Sequence, residues 1–322
     1  MMNFEAQLQE VLTRAADSLG NDAPPDVLYH YTSLPAAVAI LGGGTLHASD
    51  IRFLNDRTEL QFAWGTANAV LKKLAPTAPP GVSQEGISAL ASGPSHFLQL
   101  FGGAFVVSFS THADQLGQWR AYADDGAGVA LGFSVHQGFE VVGSARAGVT
   151  LSRIRYDEHD QAQLLERSLA TISEAIGHAS KEGHSAELER QRWDTARQAV
   201  RSLVVGLGAW IKNPAFTEEQ EWRAVVQYRG PFSPLDITDV RLAPRGLIPY
   251  CQIRPTSTSP IEARLPIKEI VLGPKVSGLQ EEAFFTYLAK RGYEAAEPGS
   301  IGRDDGVERK MVVIRRSRAP YR

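Results

Sequence analysis

Short apolar runs separated by polar turns dominate the chain and predict strands. The run Val27–Thr32 (VLYHYT) is aromatic and β-branched, which favours a buried strand over a helix. Residues 34–41 then space their apolar side chains helically, and three glycines end this helix before a second apolar run at residues 45–48. The pattern predicts a strand, a helix and a strand joined by almost no loop.

The rest of the chain continues this mixture of short strands and helices. Further strands are predicted at residues 104–110, 128–133, 222–227, 248–253, 269–272 and 311–314. Further helices are predicted at residues 60–74, 113–123 and 279–290. A Pro-, Gly- and Ser-rich stretch at residues 75–94 predicts a mobile surface loop.

A longer helical pattern separates the early strands from the late ones. It runs from residue 161 to residue 212 and is interrupted by Gly and Ser near residues 178–185, which predicts a helical hairpin. Strands paired with short helices, then a helical insert, then more strands favour an α+β fold over a doubly wound parallel sheet.

The same pattern predicts the domain organisation. Residues 1–26 predict an amphipathic helix and a turn, and residues 27–322 predict a single α+β domain with a helical insert at about 158–213. The first residues carry acids among their apolar positions, which argues against a secretory signal. No stretch approaches the roughly eighteen uninterrupted apolar residues of a membrane span, so we expect no membrane association.

Composition narrows the classes of function. The formal net charge is -3, so there is no global basic surface, and any nucleic-acid contact has to be local. The chain has one cysteine, Cys251, which excludes an internal disulfide framework and multi-cysteine metal sites. A single cysteine fits a reducing compartment, and we expect the cytoplasm.

His30 is the first candidate for chemistry. It lies between Tyr29 and Tyr31 in a predicted strand, so its side chain points away from both neighbours. If the tyrosines face a core, the imidazole faces a cleft, where it can bind a sugar hydroxyl, act as a base or bind a metal. The alternative is a core histidine bonded to a backbone carbonyl.

A second group of candidates follows the strand at residues 104–110. Ser108 and Ser110 share one face of that strand, and the next predicted helix carries Trp119, Arg120 and Tyr122. Aromatic residues at helical spacing are more often core than ligand platform. A cation placed between two rings within one turn is nevertheless unusual for a core.

An acidic run, EEQEWR at residues 218–223, precedes a predicted strand. Glu219, Glu221 and Arg223 share a parity and point the same way in an extended chain, while Trp222 points to the other side. Crowded carboxylates in a concave site predict a raised pKa for one of them, and Arg223 can pair with another. Solvated acids at the end of a loop are the alternative.

Metal chemistry has a weaker basis in the sequence. His47 can join His30 as a pair of ligands, and a metal-dependent nuclease using these histidines, Asp56 and the acidic run is a third hypothesis. Asn55, Asp56 and Glu59 equally fit a helix N-cap with an acidic first turn. No cluster has ligand spacing, so no metal is expected. Dinucleotide-binding GxGxxG, P-loop, GxSxG and HExxH motifs are absent from the sequence.

Ordered sequence blocks carry a family resemblance. The blocks are LYHYTSL, FLND, SFS, QWRAYADD, GVALGF, EEQEWR, KEIVLGP and the closing PYR. In this order they resemble a bacterial family of unassigned activity, the domain of unknown function DUF2971. The resemblance runs from about Leu28 to the C-terminus, around the helical insert.

The first block also resembles the start of the diphtheria-toxin-like ADP-ribosyltransferases and poly(ADP-ribose) polymerases. That motif is a strand with His, Gly and Thr, followed by a helix that ends in Ile-Leu and Gly. Residues 28–32 and 40–42 match it, except that Tyr31 replaces the glycine that lets the main chain approach nicotinamide. The resemblance implies a mixed, largely antiparallel sheet core.

This second resemblance implies a function that consumes NAD as substrate. The chain is expected to be an ADP-ribosyltransferase or NAD glycohydrolase, acting as a toxin or antiphage effector on a protein or nucleic-acid acceptor. His30 is expected to bind ribose, Tyr122 to stack on nicotinamide, and Glu221, helped by Glu219, to hold the reacting ribose. Glu221 is preferred because it is nearer the rigid strand.

The other expected NAD contacts complete the predicted site. They are Tyr31, Thr32, Ser108, Ser110, Trp119, Arg120 and Arg223, with Arg120 or Arg223 at the pyrophosphate. The alternative function is a non-catalytic module of a bacterial stress or defence system that binds a nucleotide or a peptide in the same cleft.

Overall fold

The structure is a computed structural model that describes most of the chain. The described residues are 4–17, 19, 22–54, 59–91, 104–145, 147–180, 185–228, 236–243, 246–256, 265–296 and 310–321. Asn55 and Asp56, which the sequence analysis considered as a cap and as a metal ligand, lie outside them.

The described residues contain both helices and strands. The strands are β1 (Val27–Thr32), β2 (Leu46–Asp50), β3 (Ala104–Ser110), β4 (Val129–Ser134), β5 (Phe139–Val141), β6 (Ala147–Arg153), β7 (Glu221–Tyr228), β8 (Asp239–Ala243), β9 (Gly246–Pro255), β10 (Ile267–Leu272), β11 (Tyr293–Ala296) and β12 (Lys310–Arg316). The α-helices are α1 (Phe4–Asp17), α2 (Leu34–Gly43), α3 (Glu59–Leu74), α4 (Gln84–Ser88), α5 (Leu116–Tyr122), α6 (Glu158–Ser180), α7 (Ala186–Gly208) and α8 (Gly278–Lys290).

The strands of the described residues form one open sheet. Its order is β11-β12-β10-β4-β1-β3-β2-β9-β5, with β7 between β3 and β6 and with β8 on β9. Parallel pairing between named strands occurs where β12 meets β10 and β11, and the other strand pairs are antiparallel. The predicted α+β fold with a mixed, largely antiparallel sheet is therefore confirmed.

The sheet splits along β3. One edge of β3 pairs with β7 from Ala104 to Ser110. The other edge is shared, because β1 meets it at Ser110 and β2 meets it at Phe105 and Val106. Residues 107 and 108 therefore face a gap between β1 and β2, and this gap holds the candidate site.

Helix α2 connects the two strands that border the gap. Ser33 caps its first turn, accepting a hydrogen bond from the backbone N–H of Ala36 at 3.3 Å. Gly44 ends it in the left-handed region, with φ at 67°, and its N–H donates to the carbonyl of Ile40. Only glycine adopts that conformation without strain, so the glycine run fixes where β2 begins.

Two hydrophobic cores cover the two faces of the sheet. On one face Val106 and Val225 pack with helices α1, α3, α6 and α7. On the other face Val107, Phe109 and Trp222 pack with α2 and α8. Alternate residues of β3 and β7 thus serve opposite cores, as the period of a strand requires.

Helices α6 and α7 form the predicted hairpin and pack against α1 and α3. Each has 23 residues, long enough to cross a bilayer, but each carries charged residues along much of its length. In the part of the chain that the structure describes, no helix combines the length and the apolar character that a membrane span needs.

The stretch predicted as a mobile loop is packed over its described part. Residues 75–91 contain a 3-10 turn and helix α4, and Ile87 and Leu90 are fully buried in the helical core. The prediction of a mobile loop at residues 75–94 was wrong there, because composition rich in Pro and Gly does not reveal two isolated apolar anchors. Residues 92–94 lie outside the described residues.

Candidate functional site

A cavity of about 310 Å³ lies in the gap between β1 and β2. Helix α2 closes one side with Ala36, Ala39 and Ile40. The charged and polar residues of its lining include His30, His47, Ser49, Glu59, Ser108, Tyr122, Lys212, Glu221, Arg223 and Arg241. A smaller cavity of about 60 Å³ shares His30, Ser108, Tyr122 and Glu221 with it and adds Glu219.

His30 bridges the two strands at the split. Its Nδ1 lies 2.9 Å from the carbonyl oxygen of Ser108, and its ring meets Phe109 edge to face. Because a carbonyl only accepts hydrogen bonds, Nδ1 carries the proton and Nε2 is free to accept one. Burial lowers the pKa of His30, and Arg241 lowers it further, so the imidazole is neutral at pH 7.

A buried ion cluster forms the wall opposite α2. Glu221 is 5% exposed and receives the Nε of Arg223 at 2.6 Å on one oxygen and the Nζ of Lys212 at 2.9 Å on the other. Although burial raises the pKa of Glu221, these two cations dominate and hold it at about 2. The carboxylate is therefore ionised, and neither of its oxygens lacks a partner.

Glu59 and Glu219 complete this cluster. Glu59 accepts from Arg223 at 2.9 Å and lies 3.4 Å from the Nζ of Lys212. Glu219 pairs with Lys212 at 2.6 Å. The cluster thus places three carboxylates against two cations and carries a net negative charge when every group is ionised.

Tyr122 stands between the cluster and the cavity. Its hydroxyl lies 3.4 Å from a carboxylate oxygen of Glu219, and its side chain lines both cavities. Burial raises the pKa of Tyr122, so its hydroxyl stays protonated. Burial also raises the pKa of Glu219, against the pull of Lys212. Glu219 therefore takes up a proton more readily than Glu221 does.

The remaining wall is formed by β2, β8 and β9. Arg241 extends from β8 and donates to the hydroxyl of Ser49 at 3.0 Å. His47 stacks on the ring of Tyr250, with centroids 4.1 Å apart. Burial lowers the pKa of His47, so Arg241 supplies the fixed positive charge of this wall.

The structure brings together the residues on which the predicted site centred. His30, Tyr122 and Glu221 line one cavity, and Glu219 joins them in the smaller one, although they come from distant parts of the chain. Thr32 and Ser108 line the same space. The prediction that His30, Tyr122 and at least one of the glutamates share a pocket is confirmed.

Ser110 plays a supporting role beside the site. Its hydroxyl donates to the carbonyl of Glu219 at 3.0 Å and accepts from the backbone N–H of His112. The residue is buried and lines neither cavity. It anchors the loop that carries Glu219, so its predicted NAD contact is not supported by its position.

Two aromatic residues predicted to bind the cofactor lie in a separate small core. Trp119 is fully buried, and its indole N–H donates to Asp114 at 2.7 Å. Tyr31 packs against it edge to face and donates its hydroxyl to the carbonyl of His112. Tyr31 borders the smaller cavity, but its hydroxyl is engaged. Trp119 lines neither cavity, so its position in this small core does not support the predicted contact with NAD.

Neither arginine predicted at the pyrophosphate is well placed to bind it. Arg120 is exposed and lies over the ring of Tyr321, outside both cavities. Arg223 lines the larger cavity but is 1% exposed and paired with Glu221 and Glu59. Its charge is already balanced, so it is a poor partner for phosphate.

The predicted common face of Glu219, Glu221 and Arg223 is observed for two of these three residues. Glu221 and Arg223 share a face of β7, and Trp222 is buried on the other. Glu219, however, ends a 3-10 turn, and Gln220 has a φ of 45°. The chain is not extended before Glu221, so Glu219 reaches the cluster through this turn rather than through strand alternation.

The predicted site did not include Lys212, Glu59 or Arg241. Lys212 ends an apolar run just before the acidic segment, and a lone lysine in that place is the signal that points to a buried partner. Glu59 was interpreted as part of an acidic helix start. Arg241 lies on a short strand that was not predicted, and no local pattern marks it.

A comparison with protein families finds a similarity over part of the chain. Residues 118–224 match the family model described as protein of unknown function (DUF2971). Over these residues the chain is similar to the DUF2971 family. The match supports the relationship that the sequence blocks predicted.

The DUF2971 match covers one side of the cavity. It extends from α5 to β7 and includes Tyr122, Lys212, Glu219, Glu221 and Arg223. His30, Glu59 and Arg241 lie outside the matched residues. No curated protein and no solved structure matches the chain, so the comparisons lend no support to the resemblance to ADP-ribosyltransferases.

In the described part of the chain, no three His, Cys, Asp or Glu side chains are arranged to hold a metal ion. His30 and His47 both line the cavity, but each makes other contacts, with Ser108 and with Tyr250. The nuclease hypothesis also needs Asp56, which lies outside the described residues, so it gains no support from the structure.

Proposed function

We propose that the cavity between β1 and β2 binds NAD and cleaves the bond between nicotinamide and ribose. The observation that supports this proposal best is the convergence of a neutral histidine, a tyrosine and an ion cluster with excess carboxylate on one concave site. These are groups that a NAD glycohydrolase or an ADP-ribosyltransferase can use to hold NAD and to stabilise the charge that develops on ribose.

The chemistry accounts for the residue types. Breaking the bond from ribose C1 to the nicotinamide nitrogen leaves the electron pair on that nitrogen and positive charge on the ribose. Excess negative charge fixed in a buried cluster favours this separation. Water, or the hydroxyl of an acceptor, then adds to C1 and loses a proton. Within this site His30 Nε2 and Glu219 are the groups suited to take up that proton.

The other residues of the site have positioning roles under this proposal. Tyr122 lines both cavities and offers an aromatic face for the leaving nicotinamide. Glu221 stays ionised beside Lys212 and Arg223 and holds the local field negative. A toxin or an antiphage effector is the biological role that we infer from consumption of NAD.

Release of free nicotinamide tests the proposal. Purified wild-type protein incubated with NAD is expected to release nicotinamide, detected by chromatography. Glu219→Gln is expected to lower the rate by about a hundredfold or more, since it removes a charge and a proton acceptor from the site. Glu218→Gln is the matched control, because Glu218 is exposed and lines neither cavity. Equal rates for the two variants contradict the proposal.

One observation favours a non-catalytic alternative. Both oxygens of Glu221 are engaged by Arg223 and Lys212, so the acid first expected to act on ribose is satisfied within the protein. Such a cluster also suits a module that binds a nucleotide without changing it. A module of this kind leaves NAD intact over hours while binding it saturably, which separates the two functions.

A further inference from the structure

Two buried polar atoms of the cavity lining have no hydrogen-bond partner among the described residues. They are Oε2 of Glu59 and Nε of Arg241. Buried polar atoms are nearly always paired, because one left unpaired destabilises the fold. Because both residues line the cavity, these atoms are the candidates for polar contacts with a ligand.

Glu59 offers a hydrogen-bond acceptor in the lining of the cavity. Its side chain is 4% exposed, and its Oε1 is engaged by Arg223 at 2.9 Å. Oε2 has no donor. Of the three carboxylates in the cluster, Glu59 is the one with an oxygen both buried and unpaired among the described residues, so it can accept from a ligand hydroxyl without breaking an existing bond.

Arg241 offers a donor and a positive charge on the opposite wall. The cations of the other wall, Lys212 and Arg223, are each paired with two or more carboxylates. Within the described ranges Arg241 has no carboxylate in ion-pair contact. Asp239, the nearest acid on β8, is instead held by the hydroxyl of Tyr250. The guanidinium of Arg241 therefore has an N–H group at Nε without an acceptor in the described part of the chain. Arginine binds phosphate through such N–H groups, which lie in one plane and can donate two parallel hydrogen bonds.

The geometry points to a phosphorylated sugar as the ligand. We propose that Arg241 binds the phosphate and that Glu59 Oε2 accepts a hydrogen bond from a sugar hydroxyl. This inference rests on the proposed function in that it refines how NAD is held, and it moves the phosphate contact away from Arg120 and Arg223. It concerns binding alone, so a measurement without turnover tests it.

The test uses calorimetry with the full chain and three probes. ADP-ribose carries both sugar and phosphate and lacks the nicotinamide bond, adenosine carries sugar alone, and inorganic pyrophosphate carries phosphate alone. Wild-type protein is expected to bind ADP-ribose at least about tenfold more tightly than either of the other probes. If ADP-ribose binds no better than adenosine, the phosphate contact does not exist and the inference is overturned.

Variants assign the two contacts separately. Arg241→Gln is expected to weaken the binding of ADP-ribose and of pyrophosphate by about tenfold or more. Its affinity for adenosine is expected to equal that of the wild type. Arg254→Gln, an exposed arginine paired with Glu140 outside the cavity, is the matched control and is expected to change none of the three. An ADP-ribose affinity that is unaltered in Arg241→Gln overturns the inference.

Glu59→Gln tests the sugar contact. This variant is expected to weaken the binding of adenosine and of ADP-ribose by the same factor and to leave the binding of pyrophosphate unchanged. Circular dichroism checks that the variant is folded. If this variant does not fold, the Arg241 variant still decides. Tight ADP-ribose binding without nicotinamide release overturns the proposed cleavage alone. Nicotinamide release with undiminished ADP-ribose binding in Arg241→Gln overturns this inference alone.

Discussion

At the residue scale, Glu221 combines two properties that rarely occur together. It lines a cavity, as a ligand-binding acid does, and it is fully paired with Arg223 and Lys212, as a structural acid is. Removing one partner from a buried ion pair leaves the other charges uncompensated, which costs more than the pair itself contributes. The acid is therefore expected to matter for stability before it matters for chemistry.

Substitution of Glu221 tests this expectation. Glu221→Gln is expected to lower the free energy of unfolding by about 3–5 kcal/mol, because Arg223 and Lys212 lose their charged partner inside the protein. Urea unfolding monitored by circular dichroism gives the value. Glu218→Gln, at an exposed position, is expected to change it by less than about 0.5 kcal/mol. Similar small losses in both variants contradict the ion-pair account.

The pKa of Glu221 predicts how this loss depends on pH. Its folded value is about 2, against an ordinary value of 4.5, so the ionised form is favoured by folding. The stability that this adds, on the order of 3 kcal/mol, is present above the ordinary pKa and is lost as the pH falls towards the folded one. The difference in unfolding free energy between wild type and Glu221→Gln is thus expected to shrink between about pH 5 and pH 3. If the difference in unfolding free energy between the two proteins does not change with pH, the pKa of Glu221 is not lowered by folding and the prediction fails.

At the element scale, a close approach of backbone segments fixes helix α5 beside the cavity. Gly128 precedes β4 and donates its N–H to the carbonyl of Ala123, directly after Tyr122. A Cβ at Gly128 would lie 2.2 Å from the carbonyl oxygen of Thr32 and 2.9 Å from that of Ala123. Both close atoms belong to the backbone, which cannot rotate away as a flexible side chain can. This glycine therefore sets the spacing between β1 and α5.

Substitution of Gly128 tests this contact between elements. Gly128→Ala is expected to lower the free energy of unfolding by about 3 kcal/mol and to displace Tyr122 from the cavity. The matched control is Gly117→Ala in α5, where an added Cβ meets nothing within 4 Å. That change is expected to be neutral or to stabilise by up to about 1 kcal/mol, because alanine favours the helix. Thermal unfolding of both variants checks the contrast.

Strongly patterned elements were predictable from the sequence, and weakly patterned ones were not. The predicted strand at Val27–Thr32 and the helix after it agree with β1 and α2, because glycine and serine mark both ends of the helix. Strands β5, β6, β8 and β11 were not predicted. They are short or border glycines, and pairing with neighbouring strands, which a local pattern cannot show, determines them.

The site, too, was predictable from the sequence only where a local pattern marks its residues. As alternation along β1 predicted, His30 lines the larger cavity and Tyr29 and Tyr31 do not, although all three border the smaller one. The acidic run correctly drew attention to Glu221. The rest of its ion cluster was not predictable, because Lys212, which follows α7, and Glu59 of α3 join the cluster through tertiary packing. A carboxylate that looks available in the sequence can therefore be saturated in the fold.

At the scale of the whole molecule, the split sheet is the feature that gathers the site. Strand β3 lends one edge to β7 and divides the other between β1 and β2, so His30, Glu221 and Tyr122 meet although they are distant in sequence. Chain order alone does not reveal this arrangement, since it depends on where each strand stops pairing. The central claim is that this gap is where NAD is bound and cleaved.

Blocking the mouth of the gap tests that claim most directly. Ala39 is exposed on α2 and lines the cavity, whereas Val38, its exposed neighbour, does not. Nicotinamide release from NAD is measured for wild type, Ala39→Trp and Val38→Trp. We expect release by wild type and Val38→Trp, and at least about a tenfold loss in Ala39→Trp, because the indole fills the entrance. No release by wild type, or equal release by the two tryptophan variants, would contradict the account.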